Sequence, residues 1–449
     1  MKKVFILFAL MACVTTTFAQ FTLEGQYRPR TELRNGFKKP ILPGQEPAFF
    51  TEHRARLIAG YKTDKLGFKM SLQDVRIWGE TGQINKSDQL LSTHEAYGEY
   101  YASTKSTFRV GRQEVIYDGH RLFGSLDWAM QGRSLDAVRY LFNDGKGTQL
   151  DLMAVWNQTG YGDGAPEPAK LVGNDYRTMN GGGANPRIFN LPLPKAQLMA
   201  YYKKSWKSGN IGLMLLNDTY TSTDTASVTH SNFTIGITPN FSSGNLKFGG
   251  QFYYTGGAAG KTYSGSDYEN IDLNGFMANL FIQHTGVSGK PMFGVDYLSG
   301  DDESTTEVEG WSPKYGTNHK FYGFMDYFYV GNGHGGGNEK SAGLIDVFLK
   351  TTFKLSEKTT LLGHLHYFAS AEERTNSTTN ESYKGGLGTE LDLVLVRPLA
   401  KGLVLKAGYS QLFGVTETMK QLKFGTPLQE IGDMQSWGWI MLTFSPKFL

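Results

Sequence analysis

From Phe21 onward the chain alternates. Phe21, Leu23, Gly25 and Tyr27 fall on one parity, and Thr22, Glu24, Gln26, Arg28, Arg30 and Glu32 on the other. A period of two is the mark of a strand with one apolar and one polar face. The pattern returns near the other end. Leu387, Leu391, Leu393 and Leu395 share a face opposite Glu390 and Asp392, and Leu403, Leu405, Ala407 and Tyr409 oppose Lys406, Gly408 and Ser410. The last such run puts Ile440, Leu442 and Phe444 together, with Trp437 and Trp439 expected in an interfacial aromatic girdle. These runs exceed the roughly five or six residues of an ordinary soluble strand. They approach the roughly 9–11 that a tilted membrane strand needs.

The connections sharpen this reading. Short turns are expected at Lys62–Lys65, Ser103–Ser106, Asn143–Gly147, Ser205–Asn210, Ser242–Asn245, Thr285–Lys290, Leu355–Lys358 and Leu399–Gly402. Between them lie longer loops, including Asn35–Phe50, Gly79–Leu91, Tyr117–Gln131, Gln158–Pro194 and Val415–Met434. Alternating short and long connections predict an all-β transmembrane antiparallel barrel with short periplasmic turns and long extracellular loops. Counting hairpins in this way gives about 18 strands. Asn318–Val330 has strand-like composition, but one more strand would break the even parity, so it is assigned to the loop between Gly300 and Ala342.

Composition fits a barrel: 55 glycines and 13% aromatic residues in 449, with only 15 prolines. The opening MKKVFILFALMACVTTTFAQ has the layout of a secretory signal, with cleavage expected after Ala19 and the barrel domain running over 20–449. The rival is a lipoprotein signal, which would place a lipidated Cys13 at the new N-terminus. Cys13 is the only cysteine, so disulfide and thiolate chemistry are excluded from the mature chain. Basic and acidic side chains number 45 and 42 in the full sequence, and this balance gives no sign of a nucleic-acid partner. Beyond the signal no apolar run reaches the roughly 20 residues of a membrane helix, so insertion must be as a closed barrel.

Arginine is uneven: 11 of 15 lie between Phe21 and Tyr140. Alternation predicts Arg28, Arg30, Arg54, Arg56 and Arg76 on lumen-facing parity beside Glu24, Glu52 and Asp74, with Arg109, Glu95 and Glu99 completing the wall. An 18-stranded lumen holds water. Such a row is then either a ladder of ion pairs bracing one wall or a basic track for anions, whose carboxylates suit guanidinium forks.

Within this region, Val110-Gly111-Arg112-Gln113-Glu114, Arg121-Leu122-Phe123-Gly124, Asp127-Trp128 and Gly132-Arg133-Ser134-Leu135-Asp136 resemble the signature of the alginate-export family of outer-membrane porins. The ending Met441-Leu442-Thr443-Phe444-Ser445-Pro446-Lys447-Phe448-Leu449 is similar to that of its shorter members. The match covers mainly Phe21 to Tyr140. The resemblance implies an 18-stranded monomeric barrel in the outer membrane of a Gram-negative bacterium, in contact with lipid. It also implies an Arg-lined path for an anionic polysaccharide, gated by loops. Gly111, Arg112, Gln113, Glu114, Asp127, Trp128, Arg133 and Asp136 match family positions. Cut into strand, loop and strand, this stretch predicts an external loop over Tyr117–Gln131. Either a bulge lies near Gly111, or Arg112, Glu114, Arg133 and Asp136 form a brace at the channel rim.

Other candidates are weaker. His364 and His366 share a lumen face at metal-ligand spacing, but with no third ligand visible they read as solvated, and no metal or other cofactor is expected. Asp301-Asp302-Glu303 reads as an acidic loop tip rather than a calcium site. The Gly331–Gly337 run lacks the lysine and helix of a phosphate loop. No Gly-x-Ser-x-Gly elbow is present, so a non-enzyme is expected. The expected function is passive passage of anionic polysaccharide or small anionic solutes. The alternative is a structural or adhesive barrel whose long loops bind a surface partner.

Overall fold

The computed structural model describes residues 20–84, 91–157, 194–221, 229–264, 267–328, 341–376, 379–424, 429–432 and 434–449. The expected signal peptide, most of the Gln158–Pro194 loop and the Gly331–Gly337 run lie outside them.

Eighteen antiparallel strands, each bonded to its sequence neighbours, form one sheet. It opens with β1 (Gln20–Asn35), β2 (Ala48–Lys62), β3 (Leu66–Ile77), β4 (Leu91–Tyr101), β5 (Ser106–Gln113) and β6 (Leu135–Asn143), and ends with the strand Gln435–Phe444. That last strand pairs back onto β1 from Tyr27↔Phe444 to Asn35↔Ser436, which closes the barrel. The tail seals the seam: the Gly25 amide donates to the Pro446 carbonyl at 2.9 Å and the Phe448 amide to the Leu23 carbonyl at 2.9 Å. Closure leaves no strand edge, and this is what allows a β-sheet to sit in lipid. No helix among the described residues is long and apolar enough to cross a membrane.

The short turns form where expected. Asp144 closes one of them by accepting the Lys146 and Thr148 amides at 2.7 and 2.8 Å. These two backbone donors hold its carboxyl down at about 2. Outward positions carry the apolar residues, with Leu198, Leu215, Ile235, Leu280, Phe293 and Ile440 all exposed. They make the lipid-facing belt.

Three expectations need correction. The bulge is not at Gly111, where β4 and β5 stay in register. It is at His94, where Ser71 pairs with Glu95 but Leu72 pairs with Thr93. Gly111 is needed for another reason: its φ of +126° and an approach that would set a Cβ 2.3 Å from the Ala96 carbonyl oxygen leave no room for a side chain. Second, Arg76 and Asp74 point outward. The turn after Lys62 pairs Arg54 with Val75 and Arg56 with Gln73, so even positions of β2 share the lumen with odd positions of β3. Arg76 pairs with Asp74, and His53 lies 3.3 Å from Asp74, on the outer face. Third, Trp437 and Trp439 face the lumen, buried, rather than forming an outer girdle.

Candidate functional site

Among the described residues, two chain segments cross the lumen. The connection 114–134, of which Tyr117–Gln131 is expected from the sequence to be an external loop, turns inward after β5. Glu114 meets His94 at 2.8 Å. The Tyr117 hydroxyl then donates to Asp151 at 2.8 Å, and Tyr201 donates to Asp118 at 2.7 Å. Arg121 reaches Asp296 on the far wall at 2.8 Å, its guanidinium 3.6 Å over the Phe321 ring. Leu122 and Phe123 are buried in the barrel interior. The segment returns through Asp127 and Trp128 to the first strands.

There it meets the arginine wall. Register sets Arg28 directly opposite Arg54. Asp127 lies between them, 3.1 Å from Arg28 and 2.9 Å from Arg54. Arg28 also donates to the Ala129 carbonyl at 3.3 Å, Arg54 to that of Met130 at 3.2 Å, and Arg56 to that of Gln131 at 3.2 Å. Arg30 donates to the Trp128 carbonyl at 2.8 Å and lies 3.9 Å over its ring. Burial alone would raise the Asp127 carboxyl, but the charges of Arg28, Arg54 and Arg56 prevail and hold it below the ordinary carboxylate range.

The described part of the next long connection, residues 299–328, folds inward as well and joins the first. The Gly124 amide donates to the Tyr315 carbonyl at 2.9 Å, Leu126 to the Thr317 hydroxyl at 2.9 Å, and Arg133 to the Gly316 carbonyl at 2.8 Å. Trp128 stacks on His319 at 4.5 Å and meets Trp437 and Trp439 edge-on. Lys314 donates to Asp218, Asn232 and Thr234 at 2.8, 2.7 and 3.0 Å. Farther on, the Phe324 and Met325 amides donate to Asp392 and Glu390 at 3.3 and 2.8 Å. Where the plug touches the inner wall, its groups match the charges they meet. An acid and carbonyls face the arginines of β1 and β2, while a lysine and amides face the carboxylates of the far wall.

Beside the plug remains a cavity of about 520 Å³, opening toward the short turns. Arg121, Lys247, Lys320 and Lys350 line it together with Asn210, Asn240, Gln251, Asn279 and Gln283, and none of its described lining residues is a carboxylate. Burial and the neighbouring Arg121 push the Lys320 ammonium below its ordinary value.

Of the expected wall, Arg28, Arg30 and Arg54 face inward but lie buried beneath the plug, and Arg56 touches its backbone. Arg109 binds Glu99 and Lys69 binds Glu95 on the lumen face. The expected rim separates. Arg112 and Asp136 pair at 3.0 Å on the outer side of neighbouring strand ends. Gly111 and Gln113 face the lumen, where Gln113 donates to the Gly111 and Ala137 carbonyls. Glu114, Asp127, Trp128 and Arg133 belong to the plug and not to the rim, because their partners lie on the inner wall and on the second loop. Asp301 is no loop tip: buried, it accepts the Glu309 and Gly310 amides at 2.6 and 2.9 Å. Asp218, Asp296, Asp346 and Lys314 went unread, since their partners become visible only once strand register is known.

No protein-family model matches the sequence, and no curated protein matches it. Its fold does have likenesses. Pseudomonas aeruginosa OpdL superposes with a TM-score of 0.59 at 11% identity, over 96% of this chain and 99% of that one. Pseudomonas aeruginosa OccK8 (OprE) gives 0.57 at 9% identity over 96% and 99%. Acinetobacter baumannii OccAB4 gives 0.55 at 9% identity over the same shares. The chain has the outer-membrane porin fold. The barrel implied by the sequence resemblance is therefore present, whereas membership of the alginate-export family gains no support from these comparisons.

Proposed function

We propose that this barrel is a passive channel for small anionic solutes. The cavity beside the plug carries the reading: four cations and a ring of amides, with no carboxylate among the described lining residues. Low-dielectric walls focus such a field and raise the local concentration of anions. Amide side chains let a solute exchange water for protein contacts without being held by a full charge pair. Arg28, Arg30, Arg54 and Arg56 act in this state as anchors for the plug and would join the path only when the segment 114–134 withdraws. Passage of an anionic polysaccharide would need both inward segments displaced, so small solutes are the favoured cargo. One chain closes the barrel, so the path needs no second copy.

Single-channel recording in planar bilayers under a salt gradient tests this. The expected reversal potential shows anion preference. Replacing Lys247, Lys320 and Lys350 together by Gln is expected to lower the anion-to-cation permeability ratio severalfold while leaving a folded pore. Cation preference in the parent would overturn the proposal. A pore that never conducts would favour the structural reading, in which the plug is permanent.

A further inference from the structure

Three neighbouring strands, Leu344–Lys354, Thr360–Ala369 and Gly386–Ala400, bring a set of donors together on the lumen wall. Register places His364 directly opposite Asp392 and His366 opposite Glu390. One ligand atom from each of His364, His366 and Asp392 lies within 4.8 Å of the others. The third ligand that the sequence spacing did not show therefore comes from the strand next door.

His366 is 1% exposed, and its Nδ1 faces both oxygens of Asp346 at 2.9 Å. A carboxylate on Nδ1 fixes the proton there and leaves a lone pair on Nε2, the arrangement that supports imidazole ligands behind a metal. That Nε2 is buried with no hydrogen-bond partner among the described residues, 3.9 Å from Asp392 Oδ2. The distance is too long for a hydrogen bond. His364 Nδ1 and Glu390 Oε2 are likewise buried and unpartnered. Asp392 is itself oriented by the Ser410 hydroxyl at 2.5 Å and the Phe324 amide. Buried polar atoms without partners are rare in native proteins, and here three belong to His364, His366 and Glu390 on two paired strands.

We infer that His364, His366 and Asp392 form a site for a divalent transition-metal ion of the zinc class, with Asp346 positioning His366. Two imidazoles and one carboxylate are a common zinc donor set, and the oxygens are too few for calcium. Bonds of about 2.0–2.2 Å require the side chains to draw inward, and half-buried His364 has the freedom to do so. Glu390, opposite His366 across the ladder, is a candidate for a fourth ligand. Lys350, opposite His364 in the preceding strand, works against a cation; it also lines the 520 Å³ cavity, which therefore extends to the neighbourhood of the site.

The competing arrangement is a protonated His366 shared between Asp346 and Asp392 with no metal. Titration calorimetry of zinc into tag-free, chelator-stripped barrel in detergent separates the two. One ion per chain is expected. His366→Ala is expected to weaken binding at least a hundredfold and Asp346→Asn about ten- to a hundredfold, while Lys350→Met tightens it. Cobalt(II) should give the visible absorption of a low-coordinate nitrogen–oxygen site. Circular dichroism verifies folding of each variant, and if His366→Ala does not fold, His364→Ala carries the same prediction. Binding in the parent no stronger than in the His364→Ala/His366→Ala double variant would overturn the proposal. So would an affinity unchanged by His364→Ala or Asp392→Asn.

Discussion

Asp127 settles a conflict created by strand pairing. Like charges placed directly opposite each other across a ladder destabilise it, and register leaves Arg28 and Arg54 in that position. The carboxylate between them turns the repulsion into an anchor for the plug. Asp127→Asn is expected to loosen the segment by roughly 1–2 kcal/mol, near the low end for charged hydrogen bonds because the side chain is half-exposed. The readout is a larger or more frequently open single-channel conductance with an intact barrel. The sign with pH follows from the lowered carboxyl: the anchor is complete above about pH 4 and fails as the pH falls through the lower folded-state value. Conductance recorded from pH 7 to pH 3 should step up at the acid end in the parent and show no step in Asp127→Asn. In the sequence, Asp127 and Trp128 read only as part of a motif. Their partners lie about 100 residues away on β1, and no local pattern encodes that distance.

At the level of elements, strands and turns were legible because their causes are local. Alternation reports two faces, and Gly, Asp and Asn report the turns. Loop direction is not local: a polar, aromatic connection reads the same whether it stands in water or lies in a watery lumen. Parity across a turn was also hidden. Arg76 shares its even number with Arg54 and Arg56, but one extra residue in the hairpin sends it to the opposite face. The metal-type cluster has the same cause, since Asp392 joins His364 only through register. The second inward segment offers a direct test of its anchorage. Lys314→Met leaves the fully buried Asp218 without its cation, although the Tyr315 hydroxyl remains 3.1 Å away. Breaking such a pair costs about 3–5 kcal/mol. Hydrogen exchange should accelerate across residues 311–328 while barrel strands stay protected. Unchanged exchange would show that the aromatic stack around Trp128 holds the segment by itself.

For the whole molecule, the outer belt sets the stability in lipid. Leu215 points into the bilayer, whereas Leu216, one residue on, is buried on the inner face. Leu215→Arg is expected to cost about 2–4 kcal/mol if it lies near the midplane, measured by reversible unfolding from lipid vesicles. Leu216→Ala should instead act through a lost inner-wall contact and depend little on lipid. The closing seam has a separate consequence, one for the order of assembly. Trp437 and Glu32, bonded across it, are 405 residues apart in the chain. Joining ends that distant costs about 5 kcal/mol of loop entropy by the logarithmic law and returns nothing until the intervening hairpins have formed. Nearly all other strand pairs are sequence neighbours, so hairpins can accumulate one by one while the first and last strands remain open edges. Zipping of the seam is then the slowest and latest event. Until it occurs, the nascent sheet carries two adhesive borders that must be kept from pairing with other chains.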